Sequence, residues 1–304
     1  MSQPLPTTAA VAVIGAGTMG AGIAEVAAAA GHPVLLQDAR AGAAVAAIEA
    51  LAGRLQRRVE RGRLAAAERD ALLARIQACD SLAELAPARL VIEAIVEDLE
   101  IKRGLLRELE AVVGADAILA SNTSSLSLTA LGAPLARPQR LVGMHFFNPV
   151  PLMALVEVVA GLAADEAALA TIEATARAWG KRPVRVTSTP GFIVNRVARP
   201  YYAEALRLLQ EGAATPATLD ALLRDAGGFR MGPFELMDLI GHDVNFAVTC
   251  SVFDAFFQDP RYRPSLLQQE LVAAGRLGRK SGQGFYAYGE AAGPPAPAAA
   301  AAAA

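Results

Sequence analysis

Short apolar runs alternate with longer helical segments over the first part of the chain. A run of four to seven apolar residues that ends at glycine or a polar residue is typical of a strand buried on both faces. Seven strands are predicted on this basis: Ala10–Ile14, Pro33–Gln37, Arg89–Ile95, Ala117–Ala120, Leu141–Phe146, Leu155–Val159 and Pro183–Val186.

Helical segments lie between most of these runs. Strand, glycine turn, helix and strand follow one another within the first forty or so residues, which is the order of a βαβ unit. Repeated alternation predicts an α/β fold, a Rossmann-type doubly wound and largely parallel sheet with helices on both faces. The predicted helices are Thr18–Ala30, Ala41–Arg61, Ala65–Ala78, Asp98–Val113 and Asp165–Trp179.

The pattern changes after Thr189-Pro190-Gly191, where helical periodicity continues and no further strand is predicted. We therefore expect three regions: a Rossmann-type α/β domain over residues 1–188, a smaller all-α C-terminal domain over 189–288, and a disordered Ala/Pro-rich tail over 289–304. The helices predicted in the second region are Phe192–Leu209, a helix that begins at Thr215-Pro216, Pro233–Ile240, Val244–Phe257 and Ser265–Ala274.

Composition narrows the class of protein. The chain has 304 residues, of which 54% are hydrophobic and 19% charged, with a net charge of −2. This charge gives no general attraction to nucleic acid or to an anionic membrane, so an anionic ligand must meet a local basic patch. The first ten residues lack a secretory pattern, no long apolar span is present, and Cys79 and Cys250 have no metal-type spacing. We therefore expect a cytoplasmic protein without a metal site.

A glycine motif follows the first predicted strand. Gly15, Gly17 and Gly20 form G-x-G-x-x-G, and Thr18 and Met19 open the next helix. The first glycine permits a tight turn, the second lets the backbone approach a pyrophosphate, and the third lets the helix pack on the strand. Glycines also serve ordinary turns, but the flanking strand and helix favour dinucleotide binding at these five residues.

Asp38 ends the second predicted strand. An acid at this place accepts hydrogen bonds from the adenosine ribose and repels a 2′-phosphate, which favours NAD over NADP as the cofactor. An ordinary turn residue is the alternative.

His145 and Glu157 each belong to an apolar strand. A neutral imidazole can take a proton from a hydroxyl near neutral pH. Glu157 interrupts Leu155–Val159, where an unpaired carboxylate is costly, so it needs a cation or a hydrogen-bond donor. On these residues alone, a structural histidine remains the alternative.

Several segments together resemble the 3-hydroxyacyl-CoA dehydrogenase family. They occur in the family's order and span the chain except for its tail. The resemblance implies a homodimer that uses NAD to oxidise an (S)-3-hydroxyacyl-CoA to the 3-oxoacyl-CoA by hydride transfer, as in fatty acid β-oxidation. A short chain such as 3-hydroxybutyryl and a dicarboxylic chain such as 3-hydroxyadipyl both remain open. The segments are VAVIGAGTMGAGIAEVAAAAGHPVLLQD, SNTSSLSL, HFFNPVPLMALVEVV, TPGFIVNRV and KSGQGFY.

The resemblance assigns four catalytic residues. It pairs His145, the base, with Glu157, which holds the ring's tautomer and stabilises the imidazolium. Ser124 hydrogen-bonds the substrate's reacting oxygen and the nicotinamide side of NAD, and Asn195 reaches the substrate from the second domain. Helix capping for Ser124 and a solvated face for Asn195 are the alternatives.

Four further residues match family positions that contact the nicotinamide half of NAD: Glu97, Lys102, Asn148 and Lys280. For Glu97 and Lys102 the alternative is an ordinary solvated helix start with the acid first.

Arg54, Arg57, Arg58 and Arg61 lie at i, i+3, i+4 and i+7, so they share one helix face. Guanidinium groups can bind the phosphates of coenzyme A bidentately. Arg57 and Arg61 best match family positions that often carry lysine. A solvated basic face is the alternative.

Two other functions are compatible with the scaffold. A sugar-acid (L-gulonate-type) 3-dehydrogenase would use His145 and Glu157 without coenzyme A, so the arginine face discriminates it. A non-catalytic NAD-binding protein would not need the four catalytic residues. Nucleic-acid and membrane partners are not expected on charge grounds.

Overall fold

The computed structural model describes residues 3–289 and divides the chain into two compact units, Met1–Phe192 and Ile193–Ala304. Residues 290–304, which include nearly all of the tail predicted to be disordered, lie outside the described residues. The domain boundary predicted after residue 188 compares with a division after Phe192.

The first unit contains one eight-stranded sheet in the order β3-β2-β1-β4-β5-β6-β7-β8. β1 to β6 are parallel to one another, β7 is antiparallel to β6, and β8 is parallel to β7. The order of the first six strands is that of a Rossmann sheet, as the sequence predicts. The strands are β1 Ala10–Ile14, β2 Val34–Gln37, β3 Ile76–Cys79, β4 Ala88–Glu93, β5 Ile118–Ser121, β6 Leu141–Phe146, β7 Leu155–Ala160 and β8 Arg182–Thr187.

Helices cover both faces of this sheet. Successive strand residues point to opposite faces, and accordingly Val11 and Val13 belong to one apolar cluster while Ala12 and Ile14 belong to another. Helices α1, α2 and α6 contribute to the first cluster, and α4 and α5 to the second. The helices of this unit are α1 Thr18–Ala29, α2 Ala43–Glu60, α3 Ala66–Leu73, α4 Leu99–Val112, α5 Leu128–Gly132 and α6 Glu166–Ala178.

The helix predicted over Ala65–Ala78 is wrong in its second half. Helix α3 ends at Leu73, and Ile76–Cys79 forms the edge strand β3. Val34 of β2 pairs with Ile76 of β3, which satisfies the outer edge of a fully buried strand. The four residues of β3 contain no continuous apolar run, so the local pattern does not predict a strand there. The long-range pairing with β2 overrides the local helical pattern.

The direction of β7 follows from its connection. A parallel pair needs a crossover of a dozen or more residues, whereas an antiparallel pair can be joined by a short turn. Only the eight residues 147–154 separate β6 from β7, and none of them is helical. The two strands therefore run antiparallel and face each other residue by residue.

The second unit is helical, as predicted, with two isolated bridges at Gly278–Gln283 and Gln283–Ala287. Its core packs Tyr202 and Leu206 against Phe234, Met237 and neighbouring residues. The helices are α7 Val194–Gln210, α8 Pro216–Asp225, α9 Pro233–Ile240, α10 His242–Ala255 and α11 Leu266–Ala273.

Asp238, which is fully buried, explains Gly284 of the KSGQGFY segment. Its carboxylate accepts hydrogen bonds from the amides of Phe285 (3.0 Å) and Tyr286 (2.9 Å) and pairs with His242 Nε2 (2.7 Å). A Cβ at Gly284 would lie 2.1 Å from this carboxylate. The segment thus wraps an otherwise unsolvated charge.

None of the helices within residues 3–289 combines the length and the apolar character that crossing a bilayer requires.

The variants Gly20→Ala and Gly17→Ala test whether close packing requires glycine at each of these two positions. A Cβ at Gly20 would lie 1.7 Å from the carbonyl oxygen of Gly15, whereas a Cβ at Gly17 meets nothing within 4 Å. We expect Gly20→Ala to lower the free energy of unfolding by about 1–3 kcal/mol or more, because backbone must shift. Gly17→Ala should change it by less than about 1 kcal/mol. Urea unfolding measures both, and equal stability of the two variants would contradict this packing.

Candidate active site

The antiparallel register of β6 and β7 places His145 directly opposite Glu157. The Nδ1 atom of His145 lies 2.7 Å from Oε2 of Glu157. The two residues are 6% and 1% exposed, so the pair is held in a largely dry environment. The sequence predicts this pairing only through the family resemblance, and the strand register supplies its geometry.

Because an ionised carboxylate only accepts hydrogen bonds, the proton of a neutral His145 is on Nδ1. Nε2 then carries a lone pair and makes no hydrogen bond to any residue from 3 to 289. The rings of Phe147 and Phe192 pack against the imidazole at centroid distances of 4.5 and 5.7 Å. The imidazole is therefore held at Nδ1 by the Glu157 carboxylate and along its sides by two aromatic rings. Its Nε2 lone pair can then accept a proton.

The loop after β5 is organised around the carboxylate of Glu97. Its Oε1 atom accepts hydrogen bonds from Thr123 Oγ1 (2.6 Å), from the amide of Ser124 (2.9 Å) and from the amide of Ser125 (3.1 Å). Oε2 lies 3.3 Å from Nζ of Lys102. Glu97 thus holds the serine-rich loop against the start of α4, and Ser124 is presented at the carboxyl edge of the sheet.

The charge of Glu97 is maintained by its partners. Burial by itself would raise the pKa of this carboxyl, but the ammonium of Lys102 and the donors on Thr123 and Ser124 outweigh it and lower the pKa below its usual value. Glu97 is therefore ionised at neutral pH, and the loop keeps its acceptor.

Lys102 lies deeper than the sequence suggests. It is 1% exposed, and its Nζ lies 2.9 and 2.8 Å from the two oxygens of Glu93 at the end of β4. Ser121, at the end of β5, donates to the same carboxylate. This geometry favours an indirect effect on a bound cofactor, exerted through Glu97, over the direct contact that we expected.

Sequence reasoning missed Glu93, although the signal was present. Like Glu157, Glu93 is an acid within an apolar strand, and a buried carboxylate requires a cation or donors. Thr123 was missed as well. It is buried, and its Oγ1 accepts from the amide of Leu126 at 2.9 Å while it donates to Glu97, so it sets the loop's shape. Helix capping was the alternative considered for Ser124, but the helix that follows this loop, α5, has Ser127 as its cap, and Ser127 accepts from the amide of Ala130.

The glycine turn after β1 has the shape that a diphosphate requires. Gly15 has φ +96°, the first turn of α1 has no side-chain cap, and the space beside Gly17 is open. Thr18 and Met19 form the start of α1, so their amides lie at the positive end of the helix. These features fit the diphosphate of a dinucleotide, and among residues 3–289 no cluster of acid, histidine and cysteine side chains is suited to a metal ion.

Asp38 lies beside this turn. Its Oδ2 accepts from the amide of Ala16 (2.7 Å) and its Oδ1 from Nε of Arg40 (3.0 Å). The hydrogen bond from the Arg40 side chain is the main cause that lowers the pKa of Asp38 to about 2, and it outweighs the opposing effect of burial. The carboxylate is therefore charged over the whole physiological range and can accept from ribose hydroxyls.

The predicted arginine face divides into two pairs. Arg54 and Arg58 lie 3.8 and 3.3 Å from the carboxylate of the buried Glu25 on α1. Arg57 and Arg61 are exposed and form no ion pair with any residue that the structure describes. Arg57 and Arg61, which best match the family's ligand positions, are thus the two arginines of this face whose charge no described carboxylate compensates.

The remaining predicted residues lie in both units. Asn148 is exposed in the loop that follows β6. In the second unit, Asn195 is in the first turn of α7. Lys280 pairs there with Asp243, its Nζ lying 2.5 and 2.6 Å from the two carboxylate oxygens. An ammonium paired in this way is less available to a cofactor than the sequence implied.

Comparison with known proteins agrees with this geometry. The model described as "3-hydroxyacyl-CoA dehydrogenase, NAD binding domain" matches residues 10–189, and the C-terminal domain model of the same family matches residues 191–288. The chain is 56% identical to the 3-hydroxyadipyl-CoA dehydrogenase of Escherichia coli (strain K12) over 276 residues, which is 91% of the chain and 58% of that protein. It thus spans less than two thirds of this relative's length.

Two other relatives are matched over nearly their whole length. The probable 3-hydroxybutyryl-CoA dehydrogenase of Bacillus subtilis (strain 168) is 41% identical over 280 residues, covering 92% of the chain and 97% of the relative. The crystal structure of (S)-3-hydroxybutyryl-CoA dehydrogenase from Ralstonia eutropha superposes with a TM-score of 0.89 at 41% identity, covering 93% of the chain and 100% of that structure. The chain therefore belongs to the 3-hydroxyacyl-CoA dehydrogenase family, and its first unit contains that family's NAD-binding domain.

Proposed function

We propose that this chain is an NAD-dependent 3-hydroxyacyl-CoA dehydrogenase that acts as a cytoplasmic homodimer. The observation that carries the proposal is the buried pair of His145 and Glu157, 2.7 Å apart, with Nε2 of the imidazole available as a base. A pair of this kind suits an alcohol that must lose a proton while its carbon loses a hydride.

The chain's own residues account for the proton. Nε2 of His145 accepts the proton of the substrate's 3-hydroxyl, and the ring becomes an imidazolium. Glu157, already hydrogen-bonded to Nδ1, stabilises that positive charge in a site where little water can do so. NAD, when bound along the carboxyl edge of the sheet, supplies the hydride acceptor.

Two further residues are proposed to contact the substrate. Ser124, whose backbone is held by Glu97, has a hydroxyl suited to hydrogen-bond the reacting oxygen. Asn195 is proposed to hydrogen-bond the substrate from the second unit, as in the family. Glu97 positions Ser124 through the loop hydrogen bonds, and Asn148 is proposed to contact the nicotinamide side of NAD.

The substrate is proposed to be a short (S)-3-hydroxyacyl-CoA. Relatives named for 3-hydroxybutyryl-CoA and for 3-hydroxyadipyl-CoA support this class, which leaves both a short monocarboxylic chain and a six-carbon dicarboxylic chain. The uncompensated Arg57 and Arg61 support a thioester over a sugar acid, because the phosphates of coenzyme A need cations that the net charge of −2 does not otherwise supply.

The direct test is loss of NADH absorbance when the purified chain meets acetoacetyl-CoA, with a coenzyme A-free 3-keto acid alongside. We expect rapid loss with the thioester alone. His145→Ala should reduce turnover by about 10²–10⁴-fold, because general base catalysis is removed. His32→Gln changes another buried imidazole of the same unit, is the control for loss of a histidine, and should keep turnover.

Circular dichroism establishes that each variant is folded. Near-normal turnover in a folded His145→Ala protein would contradict the role of His145. No turnover in a wild-type chain that binds NADH would contradict the reaction itself.

Asp38→Asn tests the choice of cofactor. We expect it to weaken NADH binding by about tenfold and to narrow the preference for NADH over NADPH, because the ribose acceptor loses its charge. The pKa of Asp38 is lowered to about 2. The carboxylate therefore stays charged above that pH, and its charge is lost only as the pH falls through about 2. The wild-type to variant affinity ratio should therefore be constant between about pH 5 and about pH 8, which NADH fluorescence titration measures. An unchanged preference for NADH over NADPH would contradict the role of Asp38 as the ribose acceptor.

Replacing Arg57 and Arg61 by Ala tests the site for coenzyme A. We expect KM for acetoacetyl-CoA to rise by about tenfold, which corresponds to about 1.4 kcal/mol, with little change in kcat. The control replaces Arg89 and Arg107, two exposed arginines of the same unit, and makes the same change in net charge. If both double variants had the same KM, coenzyme A would bind elsewhere.

A further inference from the structure

The helical unit contains a cavity beside a buried arginine. The cavity has a volume of about 280 Å³ and lies among α7, α10, α11 and the segment that precedes α11. Arg199, on α7, lines it and is 4% exposed. This cation is not among the residues to which the proposed function gives a role.

The guanidinium of Arg199 meets only neutral acceptors. Nη1 donates to the carbonyl of Asn245 (3.0 Å) and to Oγ1 of Thr249 (2.8 Å), and Nε donates to the carbonyl of Asn195 (3.1 Å). The guanidinium carbon lies 5.0 Å from the centre of the Tyr202 ring. No carboxylate of the described chain comes within ion-pair distance of it.

A buried cation without an anion is costly. Burial lowers the pKa of Arg199 to about 10, while interaction with Tyr202 raises it only in part. The side chain is still charged at neutral pH, so its charge is present and has no opposite charge to balance it within the part of the unit that the structure covers.

Two donors at this cavity have no acceptor among residues 3–289. The side-chain hydrogen bonds of Arg199 come from Nε and Nη1 and none comes from Nη2, while Oγ of Ser265 is buried and has no hydrogen-bond partner there. The lining contains no Asp or Glu, and it includes two more arginines, Arg207 and Arg263. Of these two, Arg207 is exposed and lies 3.3 Å from the exposed Glu204, so its charge is already paired.

Part of the cavity wall is apolar. Tyr202, Leu206 and Leu266 line it together with Ala203 and Pro264, and the neutral polar side chains in the lining are Gln210, Thr249 and Gln268. A ligand that meets both the cationic part and the apolar part therefore needs an oxyanion at one end and a few aliphatic carbons at the other. Inorganic phosphate would meet the donors but would leave the apolar walls uncovered.

We propose that this cavity binds a carboxylate carried on a short aliphatic chain, with the carboxylate oxygens accepting from Nη2 of Arg199 and Oγ of Ser265. The carboxylate can belong to a free short-chain acid or to the far end of a dicarboxylic acyl thioester. The second source rests on the proposed function, and the first is independent of it.

Isothermal titration calorimetry of the full chain tests the site without any turnover. We expect sodium hexanoate to bind, and hexan-1-ol and inorganic phosphate to bind at least about tenfold more weakly, because each lacks one half of the recognition. Arg199→Met should weaken hexanoate by about tenfold or more, and Arg199→Lys should do so less. Arg230→Met, the same change at an exposed arginine of this unit, should leave the affinity as in the wild type.

Steady-state kinetics then distinguishes the two sources. If the carboxylate is that of the substrate, Arg199→Met raises the ratio of KM for 3-hydroxyadipyl-CoA to KM for 3-hydroxybutyryl-CoA by about tenfold. If hexanoate binding depends on Arg199 and this ratio is unchanged, the ligand is a free acid. Oxidation of 3-hydroxybutyryl-CoA by the wild type reports the proposed function separately, so its failure is not mistaken for failure of the site.

The proposal is overturned if neither hexanoate affinity nor the KM ratio depends on Arg199. It is also overturned if the wild type binds no hexanoate and its thermal stability rises with protein concentration in an Arg199-dependent way. In that case a second copy of the chain would supply the balancing group. Thermal unfolding of Arg199→Met and Arg199→Lys verifies that both variants are folded.

Discussion

A carboxylate that is removed from water must be met by a cation or by several hydrogen-bond donors. Among residues 3–289, four carboxylates are buried to 1% exposure or less: Glu93, Glu157, Asp220 and Asp238. Each of these carboxylates holds the side chains or backbone amides that lie around it. Glu93 holds the ammonium of Lys102 and the hydroxyl of Ser121. Asp220 accepts from two amides at the start of α9 and from the hydroxyl of Tyr286, and Asp238 does the same for the closing segment of the unit. Because a missing partner would leave an uncompensated charge, these contacts specify the arrangement of loops more sharply than apolar packing can.

The same constraint acts on the chemistry. Glu157 is buried next to His145, whose positive charge it can balance, and the antiparallel register of β6 and β7 places the two residues opposite each other. The imidazole is thereby held in one tautomer, which is the preorganisation that its proposed role as general base requires. Glu97 differs from Glu157 in its exposure and in the groups that compensate its charge. It is partly exposed, it shares the ammonium of Lys102 with Glu93, and its remaining acceptor capacity orders the loop that carries Ser124.

Much of this could be predicted from the sequence, and the failures have physical causes. The apolar runs predict seven of the eight strands, because buried parallel strands have a continuous apolar pattern. The strand at Ile76–Cys79 was missed because only its pairing with β2 makes it a strand. The nearness of Glu157 to His145 could be expected from resemblance, but its register depends on the short turn that reverses β7. The burial of Lys102, the Asp243 partner of Lys280 and the unbalanced charge of Arg199 depend on contacts between segments distant in sequence, which no local pattern encodes.

The distribution of cations shows how a chain of net charge −2 can attract anions at all. Its three lysines are engaged: Lys102 with Glu93, Lys280 with Asp243, and Lys181, whose pKa burial lowers, with the carbonyls of Val150 and Met153. Recognition of anions is left to arginines, and at the two places proposed to bind anions no carboxylate of the described residues balances their charge. On the exposed face of α2, Arg57 and Arg61 act in high dielectric, where attraction is modest and salt screens it. At Arg199 the dielectric is low, so a bound anion gains more from the same charge, and the neutral groups around the guanidinium leave an unbalanced charge that favours its binding.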